Sequence, residues 1–224
     1  MTLMRELIGT LPEQLRWAAA LAPPETPAAR EAVVAGMGGS GIAGSIASVV
    51  AAAAGRRVGV HRTYGVPGWA PSARPLVLIV SHSGGTEEAL SSAEAAGRLG
   101  LDRAAVTTGG RLASLAAEEG FPVLVTPAVD QPRAAVGYLT GGVLRLLEAA
   151  GVLPPQSAAL REAADVVERL LGSGRGAAVA LADDLAAALY DRLVVIYGAE
   201  GIPAVAAYRW KTQINENGKA IAYS

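Results

Sequence analysis

Residues 76–80 form an uninterrupted aliphatic run, which constrains the fold more than any other stretch of the chain. A strand that is apolar at every position is typical of burial on both faces of a parallel sheet. The run is followed by Ser81-His-Ser-Gly-Gly-Thr86, which has no large aliphatic side chain, and then by Glu87-Glu-Ala-Leu90. Acidic residues are favoured in the first turn of a helix by its dipole. The sequence therefore predicts a strand, a hydroxyl-rich turn and a helix N-terminus.

This turn has two interpretations. The hydroxyls of Ser81, Ser83 and Thr86, together with free backbone N–H groups at a helix N-terminus, favour the binding of an anion. In the simpler interpretation, the Ser and Thr side chains only cap the helix. A similar turn, Gly36-Met-Gly-Gly-Ser-Gly41, follows a short apolar strand and precedes an alanine-rich helix. Two such turns on neighbouring strands face one crevice, where open α/β sheets bind ligands.

Strand-like and helix-like segments alternate along the first 150 residues. This rhythm predicts βαβ units and an α/β fold with a doubly wound parallel sheet. The predicted strands are 32–35, 56–61, 76–80, 103–107 and 121–125, and the predicted helices are 3–21, 42–54, 87–99, 112–119 and 138–150, with a loop over 63–72. We expect a first domain over 1–153 and a second, incomplete unit over 154–224. The predictions for the second unit are a helix to 171, a linker-like turn at 172–176, helices 183–190 and 202–217, and one clear strand, 193–197.

Segment 36–41 also matches the G-x-G-x-x-G spacing of dinucleotide-binding loops. That pattern requires an acidic residue about 20 residues further on to bind the ribose, and no Asp or Glu occurs between Glu31 and Glu87. A 2′-phosphate could instead be bound by one of three arginines, Arg56, Arg57 and Arg62. The interpretation as an NADP-dependent enzyme is therefore weakened but not excluded. Ser40, beside two glycines, favours a single phosphate on a small molecule.

Composition excludes several classes of protein. The chain has no cysteine, which excludes disulfides and thiolate chemistry, and its two histidines cannot build a His-rich metal site. Its 19 basic and 20 acidic residues give a net charge of −1 and no general attraction to nucleic acid or anionic membranes. The amino terminus has no signal-peptide core, and the weakly polar run 42–54 is too short to span a bilayer. We expect a cytoplasmic protein.

The two turns together resemble the sugar isomerase (SIS) domain family, which binds phosphosugars through such loops. The second loop of that family commonly reads S-x-S-G-x-T-x-E, and residues 81–88 carry every fixed position. Three further stretches resemble the bifunctional phosphoglucose/phosphomannose isomerases of this superfamily: Tyr64-x-Val-Pro-x-Trp69, Thr107-Thr-Gly-Gly-Arg-Leu112 and the N-E-N-x-K run 215–219. The resemblance covers essentially the whole chain. It implies an SIS-type, flavodoxin-like three-layer sandwich.

The resemblance also implies an activity, the interconversion of glucose 6-phosphate, and of mannose 6-phosphate, with fructose 6-phosphate through a cis-enediol. Glu216 matches the family's catalytic base, and Arg133 matches the arginine that stabilises the enediolate. The matching phosphate-binding residues are Gly39, Ser40, Ser81, Ser83 and Thr86. A homodimer without metal or organic cofactor is implied. In the simpler interpretation, Glu216 pairs with Lys219 on a helix surface and Arg133 is an ordinary polar loop residue.

Two residues that the resemblance implies are not matched. The family carries a ring-opening histidine past the N-E-N segment, contributed across a dimer, and a lysine near its carboxyl terminus. Residues 218–224 contain no histidine, and Lys219 belongs to the N-E-N-x-K run itself. We therefore expect either a C-terminally truncated chain or a member without full activity. The alternative function is a non-catalytic phosphosugar-binding or regulatory SIS protein.

Overall fold

The computed structural model describes residues 2–172 and 176–224, with side chains from Met4 onward. The chain divides into two compact units, one ending at Asp165 and the other beginning at Val166, and each is described separately. The linker-like turn predicted at 172–176 falls partly on 173–175, outside the described residues. The domain boundary after residue 153 stays a prediction.

The first unit contains a parallel sheet of five strands in the order β2-β1-β3-β4-β5. The strands are β1 (Glu31–Ala35), β2 (Arg57–His61), β3 (Leu76–Ser81), β4 (Arg103–Thr107) and β5 (Val123–Val125). The helices are α1 (Thr2–Gly9), α2 (Leu11–Ala20), α3 (Gly38–Ala53), α4 (Ala70–Ala73), α5 (Glu87–Arg98), α6 (Gly110–Glu119), α7 (Val136–Ala149) and α8 (Ser157–Leu171), the last continuing past Asp165. The predicted α/β fold with a parallel sheet is confirmed. Its order reverses between β1 and β3, where such sheets bind ligands.

β3 lies at the centre of the sheet and is buried at all six positions. On one face, Val33 of β1 belongs to an apolar cluster with residues of α5 and α6. On the other face, glycines allow two helices to approach closely. A Cβ at Gly44 of α3 would lie 3.0 Å from Val34, and one at Gly142 of α7 would lie 3.0 Å from Val106. Helices therefore cover both faces, which explains why the β3 run is apolar throughout.

Two local predictions in this unit are wrong. The single helix predicted over 3–21 is two helices, α1 and α2, separated at Thr10. Pro12 explains the break, because proline has no N–H and its ring clashes with the carbonyl four residues earlier. The loop predicted over 63–72 includes the start of the short helix α4.

The second unit contains a small parallel sheet of two strands, β6 (Val194–Val195) and β7 (Ala222–Tyr223). Its helices are α9 (Ala177–Leu189), α10 (Ile202–Gln213) and a π-helical turn, Ile214–Gly218. The prediction of a single strand here is wrong, because β7 pairs with β6 and the two residues of β7 are too few for a pattern. Asn215 supports the end of the chain, since its Oδ1 accepts a hydrogen bond from the Ala222 N–H at 2.8 Å.

Candidate functional site

The two predicted turns meet at the carboxyl edge of the sheet. β1 and β3 pair directly, with Ala35 opposite Ile79, so the turns that follow them are neighbours. A Cβ at Gly36 would lie only 2.8 Å from the carbonyl oxygen of Val80. Any side chain at position 36 would therefore push the first turn away from β3. The expected juxtaposition is confirmed, and it lies at the point where the strand order reverses.

The first turn leads directly into α3, which begins at Gly38 with a positive φ of 49°. Met37, the residue before the helix, makes no side-chain capping hydrogen bond. Ser40 lies in the first helical turn and is mostly buried, with 9% of its surface exposed. Backbone N–H groups of a first helical turn have no intrahelical partners and attract anions. The turn therefore combines free donors with one hydroxyl.

In the second turn, the hydroxyls contact one another and the backbone of the loop. The Ser81 Oγ lies 2.9 Å from the Thr86 Oγ1 and accepts a hydrogen bond from the Gly84 N–H at 3.1 Å. The Ser83 Oγ accepts a hydrogen bond from the Gly85 N–H at 3.3 Å. Thr86 precedes α5 but makes no side-chain capping bond to it. The simple capping interpretation is therefore wrong for Thr86, whose hydroxyl contacts Ser81 instead.

A third loop, between β4 and α6, supports the second turn. Thr108 donates two hydrogen bonds to the His82 carbonyl, from its N–H at 3.1 Å and from its Oγ1 at 2.7 Å. The Gly84 carbonyl accepts a hydrogen bond from the Leu112 N–H at 2.8 Å. A Cβ at Gly84, where φ is 69°, would lie 1.9 Å from the Gly109 carbonyl oxygen. We did not predict this support from the sequence, although the paired glycines 109 and 110 are a signal for it.

Arg133 lies in a short 3-10 turn, Pro132–Ala134, between β5 and α7. A Cβ at Gly39 would lie 3.6 Å from the Arg133 Cα and 3.7 Å from the Pro132 carbonyl oxygen. These are ordinary contact distances, so the arginine turn packs directly against the first turn of α3. The segment before it is held to the second loop, because the His82 Nε2 lies 3.1 Å from the Val129 carbonyl oxygen. The first unit thus brings together both glycine–hydroxyl turns and the turn that carries Arg133.

Glu216 belongs to the second unit, where it is exposed on the π-helical turn that follows α10. The turn ends at Lys219, which has a positive φ of 50°. The neighbouring Asn217 donates a hydrogen bond from Nδ2 to the Gln213 Oε1 at 3.0 Å. π-helical turns are rare in proteins as a whole, and those that occur are often found at functional sites. This local geometry supports a functional interpretation of the N-E-N segment.

A carboxylate near the second turn interacts with the tyrosine of the Tyr64-x-Val-Pro-x-Trp69 segment. The Tyr64 hydroxyl donates a hydrogen bond to the Glu87 Oε2 at 3.1 Å. The pKa of Tyr64 is raised above its usual range, first by this hydrogen bond and then by the negative charges of Glu87 and Glu88. The raised pKa favours the protonated phenol, which is the form that donates this hydrogen bond.

The arginines proposed for an NADP 2′-phosphate do not lie together at this edge of the sheet. Arg56 and Arg57 are at the amino end of β2, and Arg57 pairs with Glu31 at the amino end of β1. Arg62 is at the carboxyl end of β2, and its Nη2 donates to the Gly41 carbonyl at 3.2 Å. Two of the three arginines that could bind a 2′-phosphate are therefore at the opposite edge of the sheet, which weakens the NADP alternative further.

Within residues 2–172 and 176–224, no group of three His, Asp or Glu side chains is arranged to hold a metal ion.

Sequence comparison adds evidence that is independent of this geometry. Residues 178–224 match the family model described as the bacterial phospho-glucose isomerase C-terminal SIS domain. A bifunctional phosphoglucose/phosphomannose isomerase of Thermoplasma acidophilum is 37% identical over 221 residues, covering 98% of this chain and 64% of that protein. The enzyme of that name from Caldicellulosiruptor bescii is 37% identical over 195 residues, covering 85% and 57%. The chain is therefore similar to these enzymes along most of its own length. It spans about 57–64% of the length of these two relatives.

Two solved structures of proteins named for phosphosugars have the same fold. A tagatose-6-phosphate ketose/aldose isomerase from Escherichia coli superposes with a TM-score of 0.69 at 17% identity, covering 97% of this chain and 65% of that one. The C-terminal domain of a glucosamine-fructose-6-phosphate aminotransferase from Francisella tularensis gives 0.68 at 14% identity, covering 99% and 69%. At these identities the likeness establishes the fold alone. Among the residues that the structure describes, no helix has the length and apolarity needed to cross a bilayer.

Proposed function

We propose that the protein is an aldose–ketose isomerase that interconverts glucose 6-phosphate, and mannose 6-phosphate, with fructose 6-phosphate. The observation that carries this proposal is the meeting of two glycine–hydroxyl turns at the strand-order reversal, with the turn of Arg133 packed against Gly39. The names of the relatives support the same reaction. An uncharged small ligand would not need such a concentration of N–H and hydroxyl donors.

In this proposal, the phosphate of the substrate binds between the two turns. The first turn of α3 supplies backbone N–H groups, near Gly39, and the hydroxyl of Ser40. The second turn supplies the hydroxyls of Ser83 and Thr86. Ser81 is 1% exposed and contacts both Thr86 and the Gly84 N–H, so it holds the Thr86 hydroxyl in place. The phosphate does not react, and its binding fixes the position of the sugar chain.

The chemistry is a proton transfer between C2 and C1 of the open-chain sugar. The Glu216 carboxylate removes the C2 proton of the aldose, the C1–C2 double bond forms, and the carbonyl π electrons move to O1, which is then protonated. Deprotonation of the C2 hydroxyl and return of the proton from Glu216 to C1 give the ketose and restore the carboxylate. The Arg133 guanidinium stabilises the negative charge that develops on the oxygens.

The proposal includes the organisation of the protein. We propose two SIS units, 1–153 and 154–224, in a cytoplasmic homodimer. The match of 178–224 to a C-terminal SIS domain supports the second unit. Light scattering of the purified protein after size-exclusion chromatography would contradict the dimer by giving a monomer mass.

The proposal is tested by measuring conversion of glucose 6-phosphate and of mannose 6-phosphate to fructose 6-phosphate. The informative variant is Ser83→Ala/Thr86→Ala. A hydrogen bond to a charged group contributes about 1.5–3 kcal/mol, so the double variant should raise KM by roughly 100-fold or more. The control is Ser114→Ala, which removes an exposed hydroxyl of α6 and should leave KM unchanged.

Calorimetry with fructose 6-phosphate separates this function from the non-catalytic alternative. Binding of fructose 6-phosphate without turnover of any of the three sugars would show that the protein is a non-catalytic phosphosugar-binding protein and not an isomerase. The absence of both binding and turnover would contradict either function.

A further inference from the structure

The side chain of Gln14, in α2, is fully buried and forms hydrogen bonds with all its polar groups. Its exposed fraction is 0%. The Nε2 donates to the Thr10 Oγ1 at 2.9 Å and to the Ala134 carbonyl at 2.9 Å. The Oε1 accepts hydrogen bonds from the Gly137 N–H at 3.0 Å and the Tyr138 N–H at 3.4 Å. A glutamine has two donors and two principal acceptor sites, so this amide is fully satisfied.

The groups that Gln14 contacts lie directly after Arg133 in the chain. Ala134 is the last residue of the 3-10 turn that carries Arg133, and Gly137 and Tyr138 are in the first turn of α7. First-turn N–H groups of a helix need partners from outside the helix. Ala135, the residue before α7, provides no side-chain cap. Gln14 therefore caps α7 from a different helix and binds the carbonyl that ends the arginine turn.

The packing around this contact leaves little room for the turn to move. A Cβ at Gly137 would lie 2.6 Å from the Gln14 Cβ, so α2 and α7 are as close as a glycine allows. Trp17 of α2 and Tyr138 of α7 form an edge-to-face pair with ring centroids 5.1 Å apart. On its other side, the arginine turn contacts Gly39 of α3. The turn is thus held between α3 and the Gln14 amide.

We infer that Gln14 is a positioning residue for catalysis, which holds the Arg133 turn against the first turn of α3. This inference rests on the proposed function, since it assigns a role in the isomerase reaction to a residue that does not touch the substrate. A fully satisfied buried amide fixes one geometry, because any displacement of the turn leaves buried polar groups unpaired. An apolar side chain of equal length would fill the space but would not select that geometry.

The decisive variant is Gln14→Met, which preserves length and volume but removes all four hydrogen bonds. Misplacement of a catalytic group by about 1 Å can cost a factor of about 100, so we expect kcat to fall by roughly 10- to 100-fold with KM nearly unchanged. The matched control is Gln156→Met. Gln156 is also buried and donates from Nε2 to the Pro154 carbonyl at 2.7 Å, but it follows α7 at the end opposite to Arg133. The Gln156→Met variant should have the same kcat as the parent protein.

A double-variant cycle with Arg133→Ala shows whether Gln14 acts through the arginine. If it does, Gln14→Met costs little further activity once Arg133 is gone, because coupled residues are not additive. Equal losses of kcat in both backgrounds would overturn the inference. So would a kcat of Gln14→Met equal to that of Gln156→Met. If Gln14→Met does not fold, Thr10→Val removes one of the two acceptors of the Gln14 Nε2, together with the hydrogen bond from the Thr10 hydroxyl to the Leu7 carbonyl. This variant should show a smaller loss of kcat in the same direction, and an unchanged kcat would also overturn the inference.

Hydrogen exchange provides a readout that does not depend on turnover. In Gln14→Met, the amides of Gly137 and Tyr138 should exchange about 5-fold faster than in Gln156→Met, since a typical hydrogen bond contributes about 1 kcal/mol. Equal exchange would contradict the anchoring role itself. A parent protein that converts none of the three sugars would instead overturn the proposed function, and the exchange comparison would then decide the anchoring alone.

Discussion

The two units of the chain differ in how completely they bury their apolar side chains. In the first unit, β3 is buried at every position between helices on both faces of a five-stranded sheet. In the second, the sheet has two strands, α9 contains no buried residue, and Tyr190 and Tyr197 are 83% and 92% exposed. A parallel sheet is stable when both faces are covered, and two strands offer little surface to cover.

This difference separates two tasks of the proposed enzyme. The two glycine–hydroxyl turns, which we propose bind the phosphate, and Arg133 belong to the well-packed unit, whereas Glu216 is exposed on a short turn in the other. Segments with few buried apolar contacts open more easily than core strands. Changes in the two glycine–hydroxyl turns and in the core of the first unit should therefore alter substrate binding or folding, whereas changes at Glu216 should alter turnover alone. The predictions below test this separation, from the largest expected effect to the smallest.

Glu216→Gln should have the largest effect. Removing a general base typically costs a factor of about 10²–10⁴, so kcat should fall by that factor, with KM and the melting temperature close to those of the parent protein. The measurement is steady-state conversion of fructose 6-phosphate to glucose 6-phosphate. Glu200→Gln, an exposed acid of the same unit, is the control and should retain full activity. Equal turnover in both variants would show that Glu216 is not the base.

Leu78→Ala tests the packing of the first unit. Leu78 is fully buried in β3, and truncation of a buried leucine costs about 2–5 kcal/mol. We expect the free energy of unfolding, measured by urea denaturation, to fall by that amount. A loss below about 1 kcal/mol would mean that the centre of the sheet is less tightly packed than the structure shows.

Gly84→Ala tests the contact between the second turn and the loop after β4. The alanine would need a positive φ and would place its Cβ 1.9 Å from the Gly109 carbonyl oxygen. Strain of this kind costs about 1–3 kcal/mol, and we also expect weaker binding of fructose 6-phosphate in calorimetry. The adjacent Gly85→Ala is a matched control, because its Cβ would meet nothing closer than 3.9 Å. If the two alanine variants have the same stability, the turn is not held by the neighbouring loop.

Tyr197→Ser should have the smallest effect. The side chain is almost fully exposed, and substitutions of this kind usually change the free energy of unfolding by less than about 0.5 kcal/mol. The measurement is the same urea denaturation. A loss comparable to that of Leu78→Ala would break the comparison between the units, because it would show that the second unit buries this face in solution.

The sequence predicts most of the first unit because its signals are local. The aliphatic run of β3 favours burial on both faces, and the glycine- and hydroxyl-rich composition of 36–41 and 81–86 favours turns. Neither signal depends on the rest of the chain. Where the local pattern was weaker, the prediction was wrong. The apolar periodicity of 3–21 continues across Pro12, although the helix itself is interrupted at Thr10. Strand β7 is too short to show any alternation of apolar and polar residues.

Sequence alone determined the fold class, the two glycine–hydroxyl turns and the candidate residues in them. Strand burial, turn composition and helix starts each depend on residues that are neighbours in the chain, so a local pattern is enough to predict them. Only the tertiary structure decided the strand order, the close approach of Gly36 to Val80, the contact of Gly84 with the loop after β4, and the burial of Gln14 beside the Arg133 turn. These contacts join residues that are far apart in the chain. They depend on how helices and strands pack, which no local pattern encodes.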